Sequence, residues 1–312
     1  MAKRGFLFID GHAGLGRAPA VPRHWAAALV AFIVAQWMWW QGYPLGYGAA
    51  KLLHAAGLLG SASGEITIAV TAMLLSLAVP GAIIGTLALH LSREFDHRRP
   101  ADIGFNGNSF GLAIIWSLAG LAAALPTLAS LLGVQDLRVL LQAISVLTPV
   151  TILQAGAEEI VFRGVLLAWL MARYGARTGI LLNATLFGLW HVTIGQEPLD
   201  ALLDFSATFV FGVTAAIVTL HYANLGPAIA LHVIWNVATW LAQGFSASPG
   251  EFWLGWVSHF DHVWTVEKIG NGEFVRALLA PLLIETMLVF AACRDTVNRL
   301  LDKPPLAEQD VA

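Results

Sequence analysis

Long apolar stretches, separated by short polar connections, run through the chain from residue 24 to residue 293. An α-helix needs about 20 apolar residues to cross a bilayer core about 30 Å thick, and stretches of that length predict eight membrane spans. They lie near 24–41, 66–91, 109–133, 139–171, 178–195, 201–221, 226–244 and 275–293. The pattern therefore predicts an all-α, polytopic membrane protein with about eight transmembrane helices.

The fourth span is unusual because residues 139–171 are too many for one straight crossing at about 1.5 Å per residue. Pro149 is a place where this helix could bend or begin again, so the span is either a kinked helix or a crossing followed by an interfacial helix. In the second span, Gly81 and Gly85 form a small-xxx-small pair that favours close packing against another helix.

Composition agrees with a membrane protein and argues against several other classes. The 312 residues are 57% hydrophobic and 12% charged. Net charge is −3 and the basic residues form no stripe, so we expect no nucleic-acid partner. Because Cys293 is the only cysteine, neither an internal disulfide nor a cysteine-based zinc site can form. We divide the chain into a cytoplasmic segment 1–23, one transmembrane domain 24–293 and a cytoplasmic tail 294–312.

The distribution of Lys and Arg predicts the orientation, since cytoplasmic loops carry the excess of these residues. With the N-terminus in the cytoplasm, twelve of the 17 Lys and Arg residues lie on the cytoplasmic side, four lie on the other side and Arg163 lies within the membrane. We therefore expect a multi-pass protein of the bacterial inner membrane with both termini in the cytoplasm.

Three charged residues lie within the fourth span, in the sequence Glu158-Glu159-Ile-Val-Phe-Arg163. An ionised group at membrane depth costs about 2.5–3.5 kcal/mol on insertion scales, so such residues normally face a protein interior and indicate a functional site. On a helix, Glu159 and Arg163 share a face and can neutralise each other, whereas Glu158 points elsewhere and is free to act as a general base. The alternative is that all three form a structural ionic cluster.

Two later spans carry pairs one helical turn apart: Phe187 with His191, and His232 with Asn236. Imidazole can bind a metal or transfer a proton, and an asparagine amide can donate to a developing oxyanion. Counted from the cytoplasmic ends of their helices, Glu158 and His191 both lie roughly 21–23 Å deep, whereas His232 lies only roughly 9 Å along its span. Each histidine could instead be a hydrogen-bonded polar residue between helices.

The motifs Glu158-Glu159-x-x-x-Arg163, Phe187-x-x-x-His191 and His232-x-x-x-Asn236 occur in this order on successive spans. In them the chain resembles the CPBP family of intramembrane proteases, which includes the type II CAAX prenyl endopeptidases and bacteriocin-processing or immunity relatives. The resemblance covers roughly residues 139–244. It implies a helical bundle around an intramembrane cavity that opens to the cytoplasmic side.

The resemblance also implies roles for the motif residues. Glu158 and His191 would activate the hydrolytic water, and His232 with Asn236 would stabilise the oxyanion. The supporting residues would be Glu159, Arg163 and Phe187. A divalent metal such as zinc would have Glu158, His191 and His232 as its ligands, although Glu-assisted water attack could also proceed without a metal.

The leading hypothesis is therefore an enzyme, a CAAX-protease-like intramembrane metalloendopeptidase. It would hydrolyse a peptide bond in a hydrophobic or lipidated substrate that enters from the membrane lipid. The alternative is a non-hydrolytic protein of the same fold, of the bacteriocin-immunity binding type, or a proton-coupled transporter. The inverted repeats and discontinuous helices typical of a transporter are not evident in the sequence.

Two other strings suggest chemistry more weakly. Residues 107–111 match the G-x-S-x-G pattern of serine hydrolases, but that motif requires a strand before its helix, so Ser109 is expected to have a loop or helix-capping role. His259, Asp261 and His262 could bind a metal, although such a cluster is more often a solvated loop. The surrounding connection, 245–274, contains three tryptophans and is expected to lie on the outer face.

Glu285 is an intramembrane carboxylate of the last span and lies outside these motifs. We expect it to form a structural hydrogen bond between helices. Pairing with Arg163 or a histidine, and a separate proton path, are the alternatives.

Overall fold

The computed structural model describes residues 33, 45–46, 48–58, 65–96, 99–129, 137–192, 197–247 and 271–302. Throughout these ranges the regular structure is helical and no strand is present, which confirms the predicted all-α class. Seven of the eight predicted spans coincide with helices, while the first, 24–41, lies outside the described residues apart from residue 33.

The helices follow one another closely along the chain. A short helical segment at 48–55 precedes them. We number the others α1 (Glu65–Asp96), α2 (Ser109–Ala129), α3 (Leu137–Glu159), α4 (Leu167–Tyr174), α5 (Ala176–Trp190), α6 (Pro198–Tyr222), α7 (Gly226–Ala247), α8 (Asn271–Ala292) and α9 (Arg294–Asp302). A 3₁₀ turn, Pro100–Ile103, precedes α2, and a π-helical turn, Ile160–Leu166, joins α3 to α4.

Three helical runs are long and apolar enough to cross a membrane: Val70–Glu94, Leu137–Tyr174 and Ala201–Tyr222. Shorter apolar helices lie at Ser109–Leu125, Gly226–Leu241 and Pro281–Ala292. The protein is therefore an all-helical membrane protein with three helices of spanning length among its described residues. The number of eight crossings stays a prediction.

The fourth predicted span is one continuous helical run that does not begin again at Pro149. It departs from α-helical geometry instead at Ile160–Leu166, directly after the paired glutamates. Single π turns of this kind occur often at functional sites. The buried Asn183 of α5 stabilises the turn, since its Nδ2 donates a 2.8 Å hydrogen bond to the carbonyl oxygen of Phe162.

The glycine pair of α1 packs against α3, as its spacing predicts. A Cβ atom at Gly81 would lie 2.8 Å from the carbonyl oxygen of Leu153 and 3.1 Å from Cα of Gln154, so a larger residue there would press on the α3 backbone. At Gly85 the corresponding Cβ would lie 3.5 Å from Cβ of Ala157, an ordinary contact. Gly81 therefore fixes how closely α1 approaches the helix that carries the glutamates.

The start of α7 is recessed into the bundle. The Leu225 backbone N–H donates to the carbonyl oxygen of Gly104 at 3.0 Å, and a Cβ at Gly164 would lie 3.4 Å from Cδ1 of Leu225. Along the bundle, the loop before Gly226 thus lies beside the π turn and not beside the C-terminal end of α4 at Tyr174. This stagger explains how His232 reaches the depth of the glutamates although it comes only six residues after Gly226.

The loop containing the G-x-S-x-G string is held by short-range hydrogen bonds. Ser109 Oγ accepts from the Asn106 backbone N–H at 3.1 Å and donates to the Gly104 carbonyl oxygen at 3.4 Å. Asn106 Oδ1 in turn accepts from Asn224 Nδ2 at 2.6 Å. Ser109 is the first residue of α2 and its side chain holds the preceding loop, in agreement with the predicted loop or helix-capping role.

The predicted tail after residue 293 begins with a helix, α9. The Arg177 guanidinium donates to the backbone carbonyl oxygens of Leu300 and Leu301. These two residues lie in the last turn of α9, where carbonyl groups have no partner within the helix. Residues 303–312 lie outside the described residues.

Candidate active site

The motif residues from three separate segments come together inside the bundle. Glu158 and Glu159 end α3, Arg163 lies in the π turn, Phe187 and His191 come from the end of α5, and His232 and Asn236 come from α7. Glu159 and Arg163 are completely buried, and Glu158 and His232 are each only 3% exposed. Such burial requires each charge to have a partner, because an unpaired buried charge is strongly unfavourable.

Glu159 connects two of these segments. Its Oε1 accepts from Arg163 Nη1 at 3.0 Å, which is the ion pair predicted from their spacing. The same oxygen lies 2.9 Å from His232 Nδ1. An ionised carboxylate can only accept, so Nδ1 carries the hydrogen in this bond and a neutral His232 has its lone pair on Nε2.

The Arg163 guanidinium also lies against an aromatic ring and a backbone carbonyl. Its Cζ atom is 4.1 Å from the centre of the Phe187 ring, a cation–π arrangement, and Nη2 donates to the Gly212 carbonyl oxygen at 3.4 Å. Phe187 therefore supports the site by covering the buried Arg163 guanidinium, which gives a physical meaning to its place in the second motif.

His191 is the C-cap residue of α5 and presents one ring nitrogen to the glutamate. Its Nδ1 lies 2.9 Å from the Phe187 carbonyl oxygen, so Nδ1 carries the hydrogen and Nε2 has the lone pair. Nε2 lies 3.8 Å from Glu158 Oε2. The predicted equality of depth between Glu158 and His191 is confirmed by this distance.

Glu158 Oε2 is the atom on which the site converges. His232 Nε2 lies 3.7 Å from it and His191 Nε2 lies 3.8 Å from it, on a different helix. Oε2 is buried and has no hydrogen-bond partner among the side chains and backbone groups that the structure describes. One carboxylate oxygen and two imidazole nitrogens thus face a common point and can act there on a reacting molecule.

Gln154 is a member of the site that the sequence analysis missed. It is buried, and its Nε2 donates a 2.9 Å hydrogen bond to Glu158 Oε1, while its Oε1 accepts from Asn236 Nδ2 at 3.3 Å. The sequence feature that could have identified Gln154 is its polar amide, which lies one helical turn before Glu158 in an otherwise apolar segment. Asn236, expected at the oxyanion, therefore uses one of its two amide hydrogens on Gln154.

Asn183 was also missed. It lies one turn before Phe187 on α5, is completely buried, and holds the π turn through the Phe162 carbonyl described above. Its spacing from Phe187 was the signal that could have identified it.

Glu285 of α8 is 3% exposed and interacts electrostatically with Glu159, but its Oε1 has no hydrogen-bond partner within the described ranges. The expected hydrogen bond between helices is made by the adjacent residue instead, since Thr286 Oγ1 lies 3.1 Å from Thr214 Oγ1. The ion pair of Arg163 is made with Glu159 and not with Glu285.

The donors around Glu158 Oε2 suit zinc chemically, but their spacing does not match a closed site. Metal bonds of about 2.0–2.1 Å at tetrahedral angles bring ligand atoms to about 3.4 Å from one another, whereas the two distances in this structure are 3.7 and 3.8 Å. In the part of the chain that the structure describes, no group of three or more His, Cys, Asp or Glu side chains is arranged to hold a metal ion. The other candidate metal cluster, His259, Asp261 and His262, lies outside the described residues.

Comparison with known families identifies a match over the segment that carries the motifs. A family model described as type II CAAX prenyl endopeptidase Rce1-like matches residues 140–238. This range begins within α3, ends within α7 and contains every residue of the three motifs. No curated protein and no solved structure matches the chain.

Proposed function

We propose that this chain, which matches the Rce1-like type II CAAX prenyl endopeptidase family over residues 140–238, is an intramembrane endopeptidase that cleaves a hydrophobic or lipidated peptide. One observation carries the proposal: a buried glutamate oxygen, Glu158 Oε2, faces the Nε2 atoms of His191 and His232. Three groups able to exchange protons at one point inside a membrane protein suit the activation of water.

In the proposed reaction, Glu158 acts as the general base. A water molecule within reach of Oε2 gives one proton to Glu158 and directs its other hydrogen to the lone pair of His191 Nε2. The water oxygen then bonds to the carbonyl carbon of the scissile peptide. Glu158 returns the proton to the leaving nitrogen as the carbon–nitrogen bond breaks, so no further reactant is required.

His232 has a different environment and a different proposed role. Its Nδ1 hydrogen bonds to Glu159, a carboxylate that stabilises the doubly protonated ring in the same way as the acid of a catalytic triad supports its histidine. In that form Nε2 donates to the oxyanion that develops on the carbonyl oxygen. Asn236 has a second amide hydrogen for the same oxyanion after its bond to Gln154.

A metal-dependent version of the reaction has Glu158, His191 and His232 as the residues that would hold the ion. A bound zinc would polarise the carbonyl and lower the pKa of water. Because the ligand spacing found here exceeds that of a closed site, no step of the mechanism above depends on a metal.

The family description directs the choice of substrate. It names prenyl endopeptidases, so a peptide with a prenylated cysteine near its C-terminus is the first candidate, and an unmodified transmembrane peptide is the second. The catalytic groups lie against buried aromatic rings: the ring centres of Phe187 and Phe211 lie 5.8 Å apart, and that of Phe211 lies 4.9 Å from that of His232.

The test is cleavage of both peptides by the purified protein in detergent, followed by mass spectrometry of the products. Glu158→Gln removes the base while keeping the size of the side chain and should lower turnover by at least about 10²-fold. Glu94→Gln makes the same chemical change at an exposed carboxylate of α1 and should leave turnover unchanged. Equal activity of wild type and Glu158→Gln would rule out the mechanism, and binding without cleavage would favour an immunity-type binding protein.

A further inference from the structure

We infer that Gln154 is a positioning residue that orients the catalytic carboxylate, with Asn236 acting on that carboxylate through it. The inference rests on the proposed function, since it assigns a role within the same site. Gln154 belongs to none of the three motifs and comes from the turn of α3 before the paired glutamates.

The first observation is the bond from Gln154 Nε2 to Glu158 Oε1, at 2.9 Å between two buried groups. A carboxylate turns readily about its last side-chain bond. A donor fixed on Oε1 limits that rotation and keeps Oε2 directed toward the two histidines. Oε2 is also the oxygen without a hydrogen-bond partner in the described structure, so the two oxygens have distinct environments.

The second observation is the bond from Asn236 Nδ2 to Gln154 Oε1, at 3.3 Å across 82 residues of sequence. The oxygen and the nitrogen of the Gln154 side-chain amide point in different directions. When the oxygen accepts from Asn236, the nitrogen is therefore directed toward Glu158. Asn236 therefore sets the amide orientation that Glu158 requires. The result is a relay from α7 to α3 made of two hydrogen bonds.

The third observation is the close backbone packing behind Gln154. A Cβ at Gly81 would lie 3.1 Å from Cα of Gln154, so α1 limits movement of this turn away from the site. The neighbouring polar residue, Thr151, behaves differently because its Oγ1 donates only to the Leu147 carbonyl of its own helix, at 2.7 Å. Both functional ends of Gln154, in contrast, are used on motif residues.

Gln154→Met tests the positioning role, because it keeps the length of the side chain and removes both hydrogen bonds. We expect kcat to fall by about tenfold or more, with KM within twofold and the melting temperature close to that of wild type. Thr151→Val is the matched control: it removes a buried polar group from the same helix and should keep kcat. Full kcat in Gln154→Met would overturn the inference.

Gln154→Glu is the second variant, used if Gln154→Met folds poorly. It keeps the size and the acceptor for Asn236, but two adjacent buried carboxyl groups share one proton, so Glu158 is less available as a base and kcat should fall here as well. If both variants lose melting temperature in proportion to activity, the role of Gln154 is structural and the inference is wrong.

A double-mutant cycle tests the relay. If Asn236 orients Gln154, the variant with both Asn236→Ala and Gln154→Met should be no slower than Asn236→Ala alone, since the relay is already broken. Independent roles would instead multiply the two losses, and that result would overturn the relay.

Wild type and Glu158→Gln are measured beside these variants to separate the two proposals. If they cleave equally, the proposed function has failed. If only wild type cleaves and Gln154→Met equals it, the function stands and the inference about Gln154 has failed.

Discussion

Glu159 holds His232 through a 2.9 Å hydrogen bond between Oε1 and Nδ1, although 73 residues separate them in sequence. The same oxygen bonds Arg163 Nη1 at 3.0 Å. Glu159 thus neutralises the buried guanidinium and fixes which nitrogen of His232 faces Glu158. The adjacent glutamates therefore have separate partners, since Glu158 faces the Nε2 atoms of both histidines and Glu159 lies behind His232.

This division predicts different outcomes for the same substitution at neighbouring positions. Glu159→Gln leaves the fully buried Arg163 without its carboxylate, and breaking such a pair costs about 3–5 kcal/mol. We therefore expect a clear loss of thermal stability in detergent, whereas Glu158→Gln should mainly lose turnover. Unchanged stability of Glu159→Gln, measured by a melting curve, would contradict the bracing role.

The two histidine motifs should respond unequally in kinetics. His191→Ala removes the group that accepts a hydrogen bond from the proposed water and should abolish detectable hydrolysis. In a coupled catalytic unit, losing one member lowers the rate nearly as much as losing all of them. Asn236→Ala should leave measurable activity, since losing one oxyanion donor typically costs about 10²–10³ in rate. Single-turnover assays on a cleaved peptide compare them. Greater activity in His191→Ala than in Asn236→Ala would reverse the assignment.

Metal analysis decides between the two versions of the mechanism. We expect the purified protein to keep its activity after treatment with a chelator and to contain no stoichiometric zinc. Elemental analysis of wild type, His191→Ala and His232→Ala provides the measurement. Stoichiometric metal that is lost in His232→Ala would make His232 a ligand and exclude its oxyanion role.

Packing between α1 and α3 predicts a contrast between two glycines. Gly81→Ala places a Cβ 2.8 Å from the Leu153 carbonyl oxygen, so the backbone must shift, and overpacking of this kind costs about 1–3 kcal/mol. Gly85→Ala meets Ala157 Cβ at an ordinary 3.5 Å and serves as the control. Melting temperatures in detergent compare the two. Equal stability of both variants would show that the approach at Gly81 relaxes freely.

The distribution of Lys and Arg predicts the orientation in the membrane. In a Cys293→Ala background, a cysteine at the exposed Ala101 should be shielded from an impermeant thiol reagent outside intact cells, while one at Gly270 should be labelled. The opposite labelling would invert the topology and place the site nearer the other surface.

Several features of the protein were determined by the sequence alone because they depend on neighbours within one helix. Apolar run length predicted helices for all the spans that the structure describes. The i, i+4 spacing predicted the pairing of Glu159 with Arg163, since the helical period alone brings these side chains to one face. It also set apart Glu158, whose Oε2 takes no part in that ion pair.

The tertiary structure decided what depends on distances between helices. Gln154 reaches Asn236, and His232 reaches Glu159, only because the start of α7 is recessed to the level of Gly164. No local period encodes such a stagger: it results from small residues and loop contacts that allow certain backbones to approach. For the same reason the helix departed from regular geometry at Ile160–Leu166 and not at Pro149, since Asn183 of a neighbouring helix supplies the hydrogen bond that holds the π turn.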